Sequence, residues 1–203
     1  MNKRRAALRH LIPALAFLVS VAGAGGGCAE LATLVPGAGQ PLKVALERED
    51  ISALVADYMT RLQASAFWQQ TVCNLEKRPT VAVWPVQNTV AQRLDDQIPF
   101  LLWAVESSLV TTKKASVVDQ KNLQEAAEKS AIDKGAALDS ATAAKLGRQL
   151  GAGYFVSGRL SSAEVKVNTE RQVRFSLFLQ VLDVDTGLIR FQSEVVIDKA
   201  PKK

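Results

Sequence analysis

The chain has 203 residues, 48% of them hydrophobic, and a formal charge of +5 from 25 basic and 20 acidic side chains. Its one histidine is His10 and its two cysteines are Cys28 and Cys73, so the body of the chain has no Ser-His-Asp or Cys-His arrangement, no imidazole ligand set and no thiolate cluster for zinc. No catalytic group, metal site or cofactor is expected.

Residues 1–10 carry Lys3, Arg4, Arg5 and Arg9 without an acid, and Leu11–Ala22 is a 12-residue apolar run. The run falls short of the roughly 20 residues a membrane-spanning helix needs. A basic start, a short apolar run and small residues form a signal-peptide pattern. The Arg4-Arg5 pair supports a twin-arginine reading only weakly. Two cleavage sites compete. Ala22-Gly23-Ala24 fits the A-x-A rule, and Gly25-Gly26-Gly27-Cys28 resembles the lipobox of bacterial lipoproteins, with Gly25 where leucine is usual. The expected division is a lipoprotein signal peptide at 1–27, a lipidated Cys28 and tether at 28–49, a globular domain at 50–198 and a basic tail at 199–203. The alternative is a free cysteine in a soluble periplasmic protein. Ala29 after Cys28 resembles the enterobacterial lipoproteins sorted to the outer membrane. Removing the leader takes four basic residues and His10, leaving 21 basic against 20 acidic residues. The high pI therefore says nothing about nucleic acid, and no nucleic-acid partner is expected.

Ala29–Glu49 contains Pro36, Gly37, Gly39 and Pro41 and reads as a tether of at most about 70 Å. Docking of Leu42–Leu46 on the domain is the alternative. Asp50 is the expected N-cap of an amphipathic helix through Ile51, Leu54, Val55, Tyr58, Met59 and Leu62 to about Ala66, closed by Phe67 and Trp68. Thr80–Val86 reads as a strand, with Pro85 marking a frayed or edge position. Gln87–Asp96 reads as a polar loop, and Asp95 or Asp96 as the cap of a helix over Gln97–Val110, with Pro99 in its first turn. A short strand at Ala115–Val118 leads to a helix capped by Asp119 and stopped by Gly135. Asp139 or Ser140 caps another helix that stops at Gly151. Tyr154–Val167, Arg171–Leu182 and Leu188–Asp198 read as strands. In the middle one Val173, Phe175, Leu177, Leu179 and Val181 alternate with Arg174, Ser176 and Gln180, and Phe178 is the one apolar residue on the polar side. The fold class is α/β of an α+β kind. It is a single domain with a mixed four- to five-stranded sheet and about four helices, in the order α-β-α-β-α-α-β-β-β.

Sharper motifs give way to plainer ones. Asp183-Val184-Asp185-Thr186-Gly187 opens like a calcium loop, but Gly187 stands at the third ligand position and Leu188 where glycine is required, so it reads as a hairpin turn. Gly147–Gly153 lies at a helix end and lacks a following Lys-Ser/Thr, which makes it a helix stop and not a phosphate loop. Asp95-Asp96 and Glu125/Glu128 read as caps and solvated faces, with no cleft marking them as glycan-cleaving pairs.

Val118-Asp119-Gln120-Lys121-Asn122-Leu123, Leu138-Asp139, Thr142–Gly147, Leu150–Tyr154 and Gly158 together resemble a signature shared by the penicillin-binding protein activator LpoB family, the CsgG secretion proteins and the N-terminal domain of TolB. Gly147 would permit close helix–strand approach, and Gly158 would avoid a clash beneath a helix. The likeness to the LpoB family extends over Asp50–Asp198 through Ile51–Trp68, Asn88-Thr89 with Leu94-Asp95, and Asp185-Thr186-Gly187. It implies a non-enzymatic outer-membrane lipoprotein, held by lipid on Cys28 at the periplasmic face, that binds and stimulates a bifunctional class A penicillin-binding protein. The alternative is a CsgG-like envelope assembly or secretion accessory, although no long amphipathic insertion interrupts Asp50–Asp198. The candidate partner contacts are Trp68, Trp84 and Trp103, one of which would be exposed beside Arg93, and a polar sheet face holding Arg159, Arg174 and Arg190. Buried tryptophans and a solvated sheet face are the plainer readings of the same residues.

Overall fold

A computed structural model describes residues 42, 44–90, 94, 96–167 and 170–201. In chain order these form helix α1 (Arg48–Ala64), a π-helical turn (Phe67–Thr71), a 3-10 turn (Val72–Asn74), strands β1 (Thr80–Val83) and β2 (Gln87–Thr89), helix α2 (Gln97–Thr111), strand β3 (Ser116–Val117), helices α3 (Gln120–Lys129) and α4 (Ser140–Leu150), and strands β4 (Tyr154–Val167), β5 (Glu170–Asp183) and β6 (Ile189–Lys199). The expected α+β order holds, with one strand more than predicted.

The sheet runs β3-β1-β4-β5-β6, with β2 also paired to β4. β1 is parallel to β3 and β4, and β2 is parallel to β4, whereas β4, β5 and β6 form an antiparallel meander. The strand expected over Thr80–Val86 ends at Val83, ahead of Pro85, which has no N–H to give a ladder. Pairing resumes at Gln87–Thr89, a stretch expected to be loop, whose partners are Arg159–Ser161. Its side chains are largely exposed, so no apolar alternation announces it.

Two apolar layers flank the sheet. On one face Ile51, Leu54, Tyr58 and Leu62 of α1 and Leu101, Val105 and Leu109 of α2 pack on Val83, Phe175, Leu177 and Leu179. On the other, Leu123 and Ala127 of α3 and Ala143 and Leu146 of α4 pack on Ala82, Trp84, Phe155, Leu182 and Val184. The expected alternation along β5 is present, with Val173, Phe175, Leu177, Leu179 and Val181 all buried.

Helix ends account for most departures from the sequence reading. Glu47, not Asp50, is the N-cap of α1, and Asp50 at the third helical position accepts the Glu47 N–H at 2.8 Å, half of a capping box. Asp96 precedes α2 without a side-chain cap bond. Asp119 caps α3 by accepting from the Lys121 and Asn122 N–H groups, and Asp139 caps α4 through Thr142 N–H at 2.7 Å. α3 stops at Lys129 and not near Gly135, because Ala131 takes the left-handed conformation (φ 54°). Ile132 N–H then donates to Ala127 O at 2.9 Å and Ala131 N–H to Glu128 O at 3.0 Å, the paired bonds of a Schellman stop. Gly151 ends α4 as expected, at φ 63°. Gly147 faces Val184, whose methyls would lie 2.5 and 2.8 Å from an added Cβ, so close helix–strand approach is its role.

The folded part begins before Asp50. Val44 and Leu46 are buried against the core, and Leu42 N–H donates to Glu164 Oε1 at 2.8 Å. The end of the expected tether is therefore a docked strap. Burying Val44 and Leu46 contributes roughly 1.5–3 kcal/mol each. Ordering five residues costs about 1–2 kcal/mol apiece. Side-chain burial alone does not cover that cost, so the Glu164 anchor matters to the strap. At the other terminus Lys199, expected in the basic tail, is the last residue of β6, and its ammonium pairs with Asp50 of α1. The first helix and the last strand are thus tied together. Arg61 of α1 also donates to Glu194 O of β6 at 3.2 Å, covering one carbonyl of that edge strand.

Candidate interaction face

The surface best suited to a partner is built by strand alternation. On β4 and β5 the residues facing α3 and α4 begin with the pair Phe155–Leu182, which those helices bury. Beyond it the same face runs on past the helices. Ser157 stands opposite Gln180, Arg159 opposite Phe178, Ser161 opposite Ser176, and Ala163 opposite Arg174. β6 adds Glu194 beside Phe178, Val196 beside Ser176 and Asp198 beside Arg174. Beyond the buried Ser157, three neighbouring strands therefore present a solvent-facing grid, and among the described residues no helix lies over it. At about 4.8 Å between strands and 6.6–6.8 Å between same-face residues, the grid covers roughly 15 by 25 Å.

Its chemistry is mixed. The Arg159 guanidinium lies 4.8 Å from the centre of the Phe178 ring, a cation–π stack that holds the charged group over an apolar plate. Arg174 grips Asp198 through Nε and an Nη, both at 2.7 Å. This bond and the adjacent charge hold the Asp198 carboxyl below its ordinary range and raise Arg174 above its own. Val196 between them is 49% exposed. At the helix-side rim, Gln180 Nε2 donates to Ser157 Oγ at 3.3 Å, and a cavity of about 130 Å³ opens among Trp84, Gln87, Leu138, Ser157, Arg159 and Phe178. Gly158 sets this geometry. A Cβ there would lie 1.9 Å from Phe178 O and 2.9 Å from Leu179 Cα, so the crowding comes from the neighbouring strand and not, as expected, from a helix.

The candidate residues do not all gather here. Arg159 and Arg174 share the open face. Arg190 does not: Val181 pairs with Phe191 and Leu182 with Ile189, so Arg190 is the extra residue of a β-bulge. It lies 5.8 Å from the Phe67 ring centre and 4.0 Å from Asp183, at the end of the sheet lined by Tyr154. Trp68 and Trp84 are buried, and Trp84 Nε1 donates to Ala136 O at 3.1 Å; Trp84 supplies only a wall of the cavity. Trp103 is 59% exposed, on α2. Arg93 and Cys28 lie outside the described residues. Phe178, Val196, Glu194 and Asp198 complete the face without having been singled out as contacts; the one sequence signal was Phe178 standing on the polar side of its strand. Among the described residues no group of three or more His, Cys, Asp or Glu side chains could hold a metal ion. Asp183 Oδ1 accepts the Asp185 and Thr186 N–H groups, and Gly187 is left-handed, so the segment that opens like a calcium loop is a turn.

Fold and face together define a single-domain α+β module with a helix-walled sheet and one strand surface left open. Residues 50–197 match the family described as peptidoglycan-synthase activator LpoB, and the chain belongs to that family. Among solved structures, the LpoB C-terminal domain from Salmonella enterica is 17% identical with a TM-score of 0.56, covering 73% of this chain and 98% of that one. The Escherichia coli LpoB C-terminal domain gives 17% identity and a TM-score of 0.55 with the same coverage. An NMR structure of E. coli LpoB gives 16% and 0.51, covering 98% of this chain and 91% of that one. At these identities the solved structures establish the fold. No curated protein matches the chain.

Proposed function

We propose that this chain is an outer-membrane lipoprotein, anchored at the periplasmic face by acyl chains on Cys28, whose domain binds a bifunctional class A penicillin-binding protein and stimulates peptidoglycan synthesis without catalysing a reaction itself. The leader ends before Cys28, a short tether follows, and the folded domain begins at the Leu42–Leu46 strap. Membership of an activator family supports the peptidoglycan synthase as target. The observation that carries the contact is the uncovered β4–β5–β6 face, where Arg159 on Phe178 sits beside Val196 and the Arg174–Asp198 pair. Stacked arginine and aromatic groups are the kind of residue that dominates protein interfaces. The grid supplies about half of the ~800 Å² per partner of a standard interface, so the neighbouring Gln87–Thr89 and Ala136–Leu138 surfaces would complete it.

The test is glycan-chain formation by the cognate synthase with and without saturating mature chain. The rate rises with wild type and stays at its basal value with Arg159→Glu or Val196→Lys, both with unchanged melting temperatures. A wild-type chain that leaves the rate unchanged refutes the activator reading; full stimulation by both variants refutes the face.

A further inference from the structure

We propose that the outer surface of α2, centred on Trp103, seats the domain on the phospholipid surface to which the chain is anchored; this rests on the reading that Cys28 carries lipid. The inner stripe of α2, Leu101, Ala104, Val105 and Leu109, is buried in the core. Its outer stripe exposes Pro99, Trp103 and Val110 at helical spacing, Trp103 59% and Val110 54% exposed, with Glu106 and Ser107 the polar residues between them. Glu106 bonds to the Gln120 amide. Phe100 lies against Trp103 with ring centres 5.5 Å apart, and the Arg48 guanidinium stands 5.2 Å from the centre of the Phe100 ring. Tryptophan and phenylalanine rings settle at the headgroup level of a bilayer. An arginine beside them lays its stem along apolar surface while its charged head reaches a phosphate. The rings and the arginine together suit the headgroup level, and among the described residues no helix is long and apolar enough to cross a membrane.

Reach, area and orientation select the occupant. From Cys28 to Leu42 is 14 peptide units, which span at most about 50 Å. The chain enters the domain through the strap and leads directly to Arg48, the residue over Phe100. The anchoring surface is therefore always within reach of this patch, at the high effective concentration a short link creates. The exposed line runs about 16 Å along a helix roughly 10 Å wide, far below the ~800 Å² per partner of a stable protein pair. An already anchored domain needs no such minimum area. α2 also lies on the sheet face opposite the Arg159–Phe178 grid, so seating through Trp103 turns that grid away from the lipid.

Trp68 and Trp84 are buried, so lipid quenching of tryptophan emission reads Trp103 without changing a residue. The mature chain, extracted from membranes, is reconstituted in phosphatidylethanolamine–phosphatidylglycerol vesicles with acyl chains brominated near the headgroup, and flotation is measured on the same sample. The expected result is a floating protein that loses roughly one third of its emission relative to unbrominated vesicles, Trp103 being one tryptophan of three. A Trp103→Gln variant floats equally and loses none. A wild-type chain that floats with unquenched emission overturns the seating and leaves the lipid anchor standing. A chain that does not float refutes the anchor. The Cys73→Ala chain coupled through Cys28 to a maleimide lipid then replaces it, and quenching there decides the seating by the same criterion. Loss of synthase stimulation in the Trp103→Gln variant in detergent, without vesicles, assigns the patch to a protein partner and overturns the proposal.

Discussion

Replacing Gly158 by alanine measures how tightly β4 and β5 are locked beneath the open face. The added Cβ would lie 1.9 Å from Phe178 O and 2.9 Å from Leu179 Cα. Both are backbone atoms in the middle of a sheet, so no rotamer change relieves the contact, and the strands would have to part by about 1–1.5 Å to reach ordinary separation. Parting them weakens about two ladder hydrogen bonds at roughly 1 kcal/mol each. Overpacking adds about 1–3 kcal/mol. The expected loss is about 3–5 kcal/mol, or a melting temperature lower by about 10 °C at 2–4 °C per kcal/mol. Urea titration reads this as a fall in midpoint at unchanged slope. Gly153→Ala is the matched control, because its nearest atom is 4.0 Å away and its φ is not left-handed. A Gly158→Ala protein within about 0.5 kcal/mol of wild type would show that the strands do not approach as described.

Three further outcomes follow from local geometry. Ala131→Gly relieves the left-handed residue at the Schellman stop and raises stability by about 0.5–1 kcal/mol, read as a higher urea midpoint; Gly135→Ala gives no such gain. Tyr58 is fully buried, its hydroxyl has no partner among the described residues, and burial pushes its ionisation well above the ordinary range, so Tyr58→Phe is neutral or raises stability by up to about 1 kcal/mol. Glu164 has its carboxyl lowered first by the Leu42 N–H and next by Arg171. Its contribution is therefore complete above the unfolded value near pH 4.3 and disappears as pH falls through the lower folded value. Hydrogen exchange in the strap should accelerate over that acid range in wild type, and Glu164→Gln should show fast exchange already at neutral pH.

What the sequence disclosed follows from where physical pattern was strong. β5 was legible because burial on one face enforces a period of two over ten residues, and α4 because Asp139 and Gly151 bracket it chemically. β2 was not, since Gln87-Asn88-Thr89 gains its strand conformation from pairing with β4 and not from apolar burial. The stop of α3 was misplaced because an alanine occupies a conformation that ordinarily selects glycine. The strap was open to either reading: three alternating apolar residues, Leu42, Val44 and Leu46, make too short an alternation to decide docking. The interaction face was half legible. Arg159 and Arg174 follow from strand parity, whereas a one-residue bulge moves Arg190 out of the set, and nothing in its neighbours' hydropathy marks the slip.

The tie between the first helix and the last strand also dictates when the fold can exist. α1 packs on β6, and Asp50 pairs with Lys199, 149 positions apart. The β4–β5–β6 meander needs only neighbouring hairpins, while β1–β4 pairing and closure by α1 must wait for long-range contacts, which form slowly. A chain threaded N-terminus first across a membrane would therefore have no completed core until its final strand had emerged. Such a chain would stay translocatable to nearly its last strand and would close only as threading ended.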